Sequence, residues 1–429
     1  MQQINRRRWL SLALSSPVVL AGCGGGEDTT KAHVRFINAS SYDSLTLKVD
    51  GDNLFSSIAY GIETKYKDVD PGDCDSTISR SGSASALVST FTPSLSEDDY
   101  YTILAWGPVG DLDWLQLDET TSDPDDDQSK VRVFNGATDA GVLDVYVMGA
   151  DDTLADSVAT QSAAAVGTLN DFIKIDSGTW RVVVTASGSK SDVRLDVSDI
   201  VFGDGKVYTL ALTAAASGVL VNGLLLREEK STLTRIDVTD ARVRVAAAAA
   251  ANATVTATVD GTELLSSGSP VVSDYALVDA GTPTVAVAIG STDVSSSLPS
   301  GTLVAGTDYT LLVYGSAGAP AAVWLTDDNT LSTDSSKGKI RLINAISDLG
   351  STLSLKLGSS QLVTSVAVGT ASAYVDVSTA SSGTLIVTSP VVTGSVLSLT
   401  EQVIEAGKVY TVLVGGSAAA PAGDLVEDH

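Results

Sequence analysis

Alternating apolar and polar residues recur along the chain from about residue 32 onward. In the first such run Leu45, Leu47 and Val49 precede an Asp50-Gly51 dipeptide, and similar runs occupy 143–147, 255–259 and 353–357. A period of two is that of a β-strand with one buried face, and Asp-Gly is a favoured hairpin turn. The pattern therefore predicts strands joined by tight turns over most of the chain.

The same order of features occurs four times. Each copy has an arginine on an apolar strand, a turn glycine 16 or 17 residues later, an aromatic residue followed three residues later by Val or Ile, a Tyr-Thr pair and a closing acidic pair. The arginines are Arg35, Arg132, Arg244 and Arg341, the aromatic residues are Tyr66, Phe172, Tyr275 and Tyr374, the Tyr-Thr pairs begin at Tyr101, Tyr208, Tyr309 and Tyr410, and the acidic pairs are 118–119, 228–229, 327–328 and 427–428. This repetition predicts four tandem domains, at 32–120, 129–229, 240–328 and 338–428.

These units predict an all-β fold of four tandem Ig-like antiparallel β-sandwich domains, each of roughly 90–100 residues. The tyrosine of the Tyr-Thr pair is expected to be a tyrosine corner, with a buried ring and a hydroxyl bonded to upstream backbone. A ligand-binding role for this tyrosine is the alternative. The alanine run 246–251 has high helix propensity, but its place in the repeat predicts the end of a strand with at most one helical turn.

Residues 1–22 have the organisation of a lipoprotein signal peptide. The arginines at 6–8 precede a short apolar run that ends in the tetrapeptide Leu-Ala-Gly-Cys at Cys23, and this run is shorter than the ~20 residues of a membrane span. The tetrapeptide resembles the lipobox, in which the cysteine thiol is acylated and becomes the first mature residue. Lipidation of Cys23 is therefore predicted, followed by a flexible tether over 23–31.

A lipid at Cys23 would make the membrane a partner and place the protein in the cell envelope. Gly24 stands where an Asp would favour the inner membrane, so the outer membrane is expected, on its periplasmic face or at the cell surface. The general secretory route and the twin-arginine route both fit the Arg7-Arg8 pair. An envelope protein or a polysaccharide is the expected further partner.

Charge and side-chain chemistry exclude several functions. Removal of the three signal arginines from the net charge of −26 leaves −29, a field that repels nucleic acid. The chain has two histidines, His33 and His429, which supply neither a catalytic triad nor a zinc set, and it has no nucleotide-binding glycine motif. We expect a non-enzymatic protein without catalytic residues, cofactor-binding residues or cofactors, although composition leaves a paired-acid glycosidase open.

Two features have two interpretations each. The segment between copies 1 and 2 contains Asp123, Asp125, Asp126 and Asp127, which are either weak calcium ligands or an acidic linker extended by self-repulsion.

Cys74 lies between two aspartates, whose charges should raise the pKa of its thiol. It is either an inert packing residue or a partner in an intermolecular disulfide.

The repeated motifs resemble the family named for its domain of unknown function 4397 (DUF4397). The closing motif Ala-Gly-x-x-Tyr-Thr is carried by 406–411 and 305–310, whereas 96–101 reads Ser-Glu-Asp-Asp-Tyr-Tyr and copy 3 replaces the early Asn-Ala with alanines. The resemblance covers nearly all of 31–428. It implies an Ig-like sandwich in envelope or extracellular proteins, often lipid- or wall-anchored, and no known activity.

The leading functional hypothesis is a structural or adhesive spacer, in which four domains end to end would reach roughly 130 Å. The alternative is a ligand-binding surface module for a polysaccharide or a partner protein. Copy 2 has the one clear internal insertion, so the alternative predicts a specialised surface around 153–170. Each copy is expected to fold alone when cut in linkers near 121–129, 230–239 and 329–337.

Overall fold

A computed structural model describes residues 30–216, 218–298 and 300–429. These residues form four sandwiches in chain order, domains 1 to 4, each built from two main sheets. The predicted all-β sandwich fold is confirmed. In this part of the chain no helix is long and apolar enough to cross a membrane. The predicted signal peptide and nearly all of the tether lie outside the described residues.

The strands are short and are spread evenly over the domains. Domain 1 contains β1 Ala32–Ser40, β2 Ser44–Val49, β3 Asp52–Ala59, β4 Lys67–Val69, β5 Gly72–Asp73, β6 Ser76–Arg80, β7 Ala86–Phe91, β8 Ser94–Leu95, β9 Tyr100–Gly107 and β10 Asp113–Asp118. Domain 2 contains β11 Gln128–Asn135, a 3₁₀ helix Thr138–Ala140, β12 Leu143–Met148, β13 Gln161–Ala164, β14 Ile173–Asp176, β15 Gly178–Ala186, β16 Val193–Phe202, β17 Lys206–Ala214, β18 Val221–Arg227 and β19 Thr232–Ile236.

Domains 3 and 4 repeat this layout. Domain 3 contains β20 Asp240–Ala249, a 3₁₀ helix Ala250–Asn252, β21 Thr254–Val259, β22 Thr262–Gly268, β23 Val271–Val272, β24 Ala276–Asp279, β25 Val285–Ile289, β26 Thr292–Asp293, a 3₁₀ helix Ser295–Ser297, β27 Asp308–Ser316 and β28 Ala319–Asp327. Domain 4 contains β29 Lys337–Asn344, β30 Leu353–Leu357, β31 Ser360–Val366, β32 Thr370–Ala371, β33 Val375–Ser378, β34 Ala380–Thr388, β35 Leu397–Ile404, β36 Val409–Ser417 and β37 Ala420–Glu427.

The two main sheets have matching strand orders in all four domains. The first sheet has the order β10-β9-β1-β4, β14-β11-β17-β18-β19, β23-β20-β27-β28 or β32-β29-β36-β37. The second sheet has the order β3-β2-β6-β7, β13-β12-β15-β16, β22-β21-β25-β26 or β31-β30-β34-β35. Most ladders are antiparallel, but in every domain the opening strand pairs in parallel with the strand of the Tyr-Thr motif.

Each domain has its own hydrophobic core between its sheets. In domain 1, Val34 and Phe36 of β1 pack with Leu45 and Leu47 of β2, and these side chains are almost fully buried. Residues two apart on a strand point to the same face, so the alternation seen in the sequence supplies this core. Equivalent cores fill the other three domains.

The domains pack side by side in two pairs. The first sheets of domains 1 and 2 enclose a shared apolar layer that includes Ile37, Leu104, Phe134 and Leu224. Those of domains 3 and 4 enclose another that includes Ala246, Leu312, Ile343 and Leu413. We call these contacts joint 1–2 and joint 3–4. The expected end-to-end chain is therefore wrong, because the outer face of each first sheet is apolar and a second copy of the same sheet covers it.

Strand β19 lies in the segment 230–239 that the sequence assigns to a linker. It extends the first sheet of domain 2 by pairing with β18. Leu233 packs in the layer of joint 1–2, and the Arg235 guanidinium carbon lies 5.2 Å from the ring centre of Tyr60 in domain 1. The partners that hold this strand thus come partly from another domain.

The alanine run forms the end of β20 and one turn of 3₁₀ helix, as the repeat predicts. Ala247 and Ala249 face the core of domain 3, whereas Ala246 and Ala248 face domain 4. Burial on both faces of the strand therefore overrides the helix propensity of alanine.

Candidate functional site

The arginine of each copy lies on the opening strand, on the face that points away from the domain's own core. On β1, Val34 and Phe36 enter the core of domain 1, whereas Arg35 and Ile37 point toward domain 2. Because a neighbouring domain covers this face, three of the arginines are at most 2% exposed and Arg132 is 8% exposed. A buried guanidinium is costly unless it is paired and fully hydrogen-bonded.

The threonine of each Tyr-Thr pair is the arginine's partner in the parallel ladder: Arg35↔Thr102, Arg132↔Thr209, Arg244↔Thr310 and Arg341↔Thr411. The arginine Nε donates to the threonine Oγ1 at 2.6, 2.8, 2.9 and 2.9 Å in domains 1 to 4. The threonine hydroxyl donates in turn to one acid of the closing pair, which is Glu119, Glu228, Asp327 or Asp428. One hydroxyl thus links the cation to a carboxylate.

The aromatic residue of each copy covers the arginine. The guanidinium carbon lies 5.2, 4.4, 4.6 and 4.7 Å from the ring centres of Tyr66, Phe172, Tyr275 and Tyr374, which is the range of a cation–π contact. The three tyrosines also donate to the carboxylate, Tyr66 to Glu119, Tyr275 to Asp327 at 2.5 Å and Tyr374 to Asp428 at 2.8 Å. We call each set of arginine, threonine, acid and aromatic ring an arginine cluster.

Domain 2 is the exception, because it has Phe172 where the other domains have tyrosine. Glu228 Oε1 accepts hydrogen bonds from Thr209 at 2.8 Å and Arg132 at 2.7 Å. Its Oε2 is buried and has no hydrogen-bond partner among the residues that the structure describes. Burial raises the pKa of Glu228, and the neighbouring Arg132 offsets only part of that effect. The missing tyrosine hydroxyl accounts for the orphaned oxygen.

Across joint 1–2, the arginine clusters are bridged by main-chain atoms. The bridging hydrogen bonds run from Arg35 to the carbonyl oxygens of Lys230 (2.6 Å) and Arg227 (3.1 Å), from Arg132 to that of Asp118 (2.8 Å), and from the Glu229 amide to Glu119 (2.8 Å). The ion pairs themselves stay within one domain: Arg35 with Glu119 at 2.8 Å and Arg132 with Glu228 at 2.7 Å.

Across joint 3–4, the ion pairs themselves cross. Arg244 lies 2.6 Å from Asp428 of domain 4, and Arg341 lies 2.7 Å from Asp327 of domain 3, with all four side chains at most 2% exposed. Arg244 is hydrogen-bonded to Thr310 of its own domain and to Asp428 of the other, whereas Arg341 is hydrogen-bonded to Thr411 of its own domain and forms an ion pair with Asp327 without hydrogen-bond geometry. Burial acts to raise the pKa of Asp428, but Arg244 and Arg341 together hold it below its ordinary value.

Small residues allow the sheets of joint 3–4 to approach closely. Gly415 of β36 faces Ala248 of β20, and a Cβ atom at position 415 would lie 2.5 Å from that of Ala248. Side-chain carbons do not approach so closely in well-packed proteins. The alanines by which copy 3 departs from the other copies are thus matched to a glycine in copy 4.

The tyrosine corners predicted from the Tyr-Thr pairs are confirmed. In every domain the tyrosine hydroxyl accepts a hydrogen bond from the backbone N–H five residues upstream: Tyr101 from Ser96 (3.1 Å), Tyr208 from Gly203 (3.0 Å), Tyr309 from Val304 (3.1 Å) and Tyr410 from Glu405 (3.1 Å). All four tyrosines are buried. Their role is therefore structural, and the same Tyr-Thr pair supplies a corner and a cluster residue.

Other predicted positions have separate environments. Cys23 lies outside the described residues. In the Asp-rich segment, Asp125 pairs with Lys174 at 2.8 Å, and the described ranges contain no group of three or more acids, histidines or cysteines arranged to hold a metal ion. Cys74 is buried in the core of domain 1, where burial and then the surrounding aspartates raise the pKa of its thiol.

The insertion of domain 2 lines a surface cleft of about 480 Å³. Its walls include Asp151, Asp152, Asp156, Val158 and the half-buried Trp180. Val158 is 88% exposed, so the cleft has an apolar lip beside its carboxylates. This cleft lies partly within the range where the sequence predicts a specialised surface.

In each domain the four repeated residue types lie together in one arginine cluster, which the sequence alone did not reveal. The sequence identifies each of them as a repeated position, but it assigns the arginine, the acid and the aromatic residue no common role. A signal was present, since every copy supplies one cation, one acid, one hydroxyl and one aromatic ring. In the structure the cations and acids pair with each other inside the joints, and they take part in the contacts that bridge two domains.

Comparisons with known proteins bear on family and fold. The family model of DUF4397, a domain of unknown function, matches residues 32–146 and 241–352. No curated protein matches the chain. Among solved structures, the chain is similar to a candidate cell adhesion protein from Bacteroides uniformis ATCC 8492, at 12% identity and a TM-score of 0.20, over 48% of this chain and 100% of that one.

The chain is also similar to the Bacillus anthracis TIE protein, at 10% identity and a TM-score of 0.14, over 87% of this chain and 66% of that one. Both likenesses are too distant in shape to support an argument about function. The two regions that match the family model span more than half of the chain. The chain therefore belongs to the DUF4397 family.

Proposed function

We propose that this protein is a non-enzymatic structural or adhesive module of the cell envelope, held at the outer membrane by a lipid on Cys23. The observation that carries the proposal is the arginine cluster. The cations and acids that recur in every copy are buried at contacts between domains. Groups used in this way maintain a fixed shape, as a structural module requires.

The pairing of domains determines the kind of module proposed. Four sandwiches on single linkers would form a thin, jointed stalk, since contacts between such domains are ordinarily small. Here each first sheet is covered by another, and domain 2 also contacts the second pair through Asp139, which accepts the Leu331 amide at 2.9 Å. The proposed role is thus that of a compact block that presents its loops at a set distance from the membrane.

The lipid anchor is tested by replacing Cys23. Cys23→Ser should abolish acylation and release the protein from the membrane fraction or leave it unprocessed. Cys74→Ser is the matched control, because the buried Cys74 should have no part in anchoring. Mass spectrometry of the mature N-terminus measures the outcome, and an unmodified mature N-terminus at another residue would refute the anchor.

A second candidate function is recognition of a polysaccharide or partner protein at the domain 2 cleft. It is favoured by the place of the cleft on the one insertion, and by its combination of an indole ring, an exposed apolar residue and several carboxylates. Binding sites commonly combine apolar surface with a few polar groups on loops of a rigid scaffold.

Glycan arrays and pull-downs with the soluble chain from residue 24 distinguish the two functions. If the cleft binds a ligand, Val158→Asp should abolish the signal. Val201→Asp is the control, because Val201 is a comparably apolar residue that is 59% exposed on β16. Loss of binding in the Val158 variant alone would establish recognition at the cleft, whereas equal binding by both variants would exclude it.

A further inference from the structure

The strand that follows the Tyr-Thr strand in the first sheet is covered differently in the four domains. In domain 2 this strand, β18, is paired on its outer side by β19, and five of its seven residues are buried. Among the described residues, the equivalent strands β10, β28 and β37 pair on one side alone. This position of the sheet therefore accepts a further strand, which domain 2 supplies from its own chain.

Strand β28 is the longest of the three uncovered edge strands. It pairs with β27 over nine consecutive residues without a bulge, and residues 320–325 are all half-buried. Alternate residues of an edge strand direct their N–H and C=O groups away from the neighbouring strand. No main-chain group outside β27, in the part of the chain that the structure describes, bonds to residues 319–326. A long regular edge of this kind is a template for another strand.

The other two uncovered edges are protected by charge. Natural edge strands are commonly blunted by charged side chains or by short length. Strand β10 has six residues with an exposed aspartate at each end, and β37 has the exposed Asp424 and Glu427. Counted from the tyrosine corners, Val323 and Thr326 of β28 stand where β37 has these two acids. Residues 319–326 include no charged side chain, so β28 lacks this protection.

The absence of charge also indicates which strand can cover β28. The chain has a net charge of −26, so two copies can associate closely only where neither presents an acid. A second copy of β28 meets this condition. In an antiparallel pairing centred on Val323, Ala322 lies opposite Trp324 of the second copy and Ala321 lies opposite its Leu325. Small residues then face large ones, and no charged residues of 319–326 oppose each other.

We propose that β28 is a self-association surface, at which two copies of this chain pair their β28 strands antiparallel about a two-fold axis at Val323. The first sheets of the two third domains then form one continuous sheet, and the outward main-chain groups of each edge bond to the other. The surface extends the adhesive role proposed above, because it joins copies of the same protein. It depends neither on the lipid anchor nor on the domain 2 cleft.

Sedimentation velocity and hydrogen exchange of the soluble chain from residue 24 test this pairing together. We expect a monomer–dimer equilibrium between micromolar and hundreds of micromolar protein. The β28 amides that point away from β27 should exchange fast in dilute protein and become protected as the dimer forms. Strand β37 is the internal control, because it is the equivalent edge with two exposed acids, and its amides should not change.

Variants at the two-fold axis decide the register. Val323→Asp introduces the residue type that domain 4 has at the equivalent position and places two carboxylates directly opposite each other, so it should weaken dimerisation at least tenfold. Val323→Lys should have the same effect. An equimolar mixture of the two variants should recover the dimer, because aspartate then faces lysine. Val304→Asp is the control, since Val304 is a 58% exposed valine of the same domain outside β28.

Three results would overturn the proposal. A monomer at every concentration would do so and would leave the lipid anchor unaffected. A dimer whose β28 amides stay unprotected, or equally strong dimerisation of folded Val323→Asp, would place the association on another surface. Val323 also packs in the layer of joint 3–4, so if its variants do not fold, the concentration-dependent protection of β28 in the unaltered chain decides the outcome.

Discussion

Joint 1–2 and joint 3–4 have the same residue types at the same repeat positions, yet they connect their domains differently. In joint 1–2 the acids are glutamates, which pair with the arginine of their own domain and leave the bridging to main-chain atoms. In joint 3–4 the acids are aspartates, and each pairs with the arginine of the other domain. We attribute the difference to side-chain length, because aspartate is one methylene shorter than glutamate.

This difference determines which ion pairs would be lost if the two domains of a joint separated. Parting domains 1 and 2 would leave Arg35–Glu119 and Arg132–Glu228 paired, whereas parting domains 3 and 4 would leave each arginine without its closest acid. The expectation that each copy folds alone is therefore stronger for domains 1 and 2. For domains 3 and 4, the pair is the unit that we expect to fold.

The largest predicted effect is the loss of a crossing ion pair. Arg244→Met leaves Asp428 Oδ1 buried without its cation and should lower the free energy of unfolding of joint 3–4 by about 3–5 kcal/mol. Arg35→Met should have a smaller effect, because Glu119 keeps the Thr102 hydroxyl and the Glu229 amide. Denaturant unfolding with hydrogen exchange of β20 and β1 measures each joint.

Two controls accompany this comparison. Arg181→Gln removes an ion pair whose side chains are 26% and 25% exposed, and it should cost about 1 kcal/mol. Adding Asp428→Leu to Arg244→Met should recover much of the loss, because no buried charge of that pair then remains. A larger effect for Arg35→Met than for Arg244→Met would contradict the assignment of crossing and internal pairs.

The close approach of β20 and β36 predicts an intermediate effect. Gly415→Ala places a methyl group against Ala248 and should destabilise joint 3–4 by about 1–3 kcal/mol through overpacking. Ala248→Gly in the same chain should restore part of the stability, because it removes the contact at 2.5 Å but leaves the main-chain atoms of residue 248 at 3.0 Å. Gly318→Ala is the control, since nothing lies within 4 Å of the added atom. Additive losses in the double variant would rule out a direct contact.

The tyrosine missing from domain 2 predicts a small gain. Phe172→Tyr should supply the donor that Glu228 Oε2 lacks and stabilise joint 1–2 by about 0.5–1.5 kcal/mol. Tyr374→Phe makes the reverse change in domain 4 and should destabilise joint 3–4. As a control, Phe134→Tyr adds a hydroxyl in the apolar layer of joint 1–2 and should be unfavourable. A destabilising Phe172→Tyr would show that the ring position differs from that in the other copies.

The smallest predicted effect is that of pH. Lowering the pH should change the stability of the two joints in opposite directions. The raised pKa of Glu228 contributes stability that is fully present below its unfolded value of about 4.3 and lost as pH rises through the folded value. The lowered pKa of Asp428 contributes stability that is present above its unfolded value of about 3.9 and lost as pH falls through the folded value.

On acidification from pH 7 to 4, joint 1–2 should therefore strengthen through Glu228, whereas below about pH 4 joint 3–4 should weaken through Asp428. Hydrogen exchange corrected for the intrinsic pH dependence follows each joint separately. Glu228→Gln should remove the gain in joint 1–2 and leave the other joint unaffected. Parallel weakening of both joints over the whole range would exclude opposite linkage.

The sequence could predict which residues form the arginine clusters, but it could not predict that they lie next to each other. Arg35 and Thr102 are register partners in a parallel ladder, which requires the order of strands in the sheet as well as their existence. The sequence pattern also did not show that the face of β1 that points away from the core of domain 1 is apolar. A strand buried on both faces has a nearly continuous apolar run, and its arginine then resembles an isolated polar residue.

What the sequence determined by itself rests on local interactions. Alternation with a period of two specified the strands, the repeat spacing specified four copies, and the tyrosine corner closes over five residues, as Tyr410 and Glu405 show. Only the tertiary structure decided which sheets face each other, that β19 is a strand, and that Arg244 pairs with Asp428, 184 residues away. The reason is physical: local patterns set which face of a strand is apolar, whereas the surface that covers that face comes from a distant part of the chain.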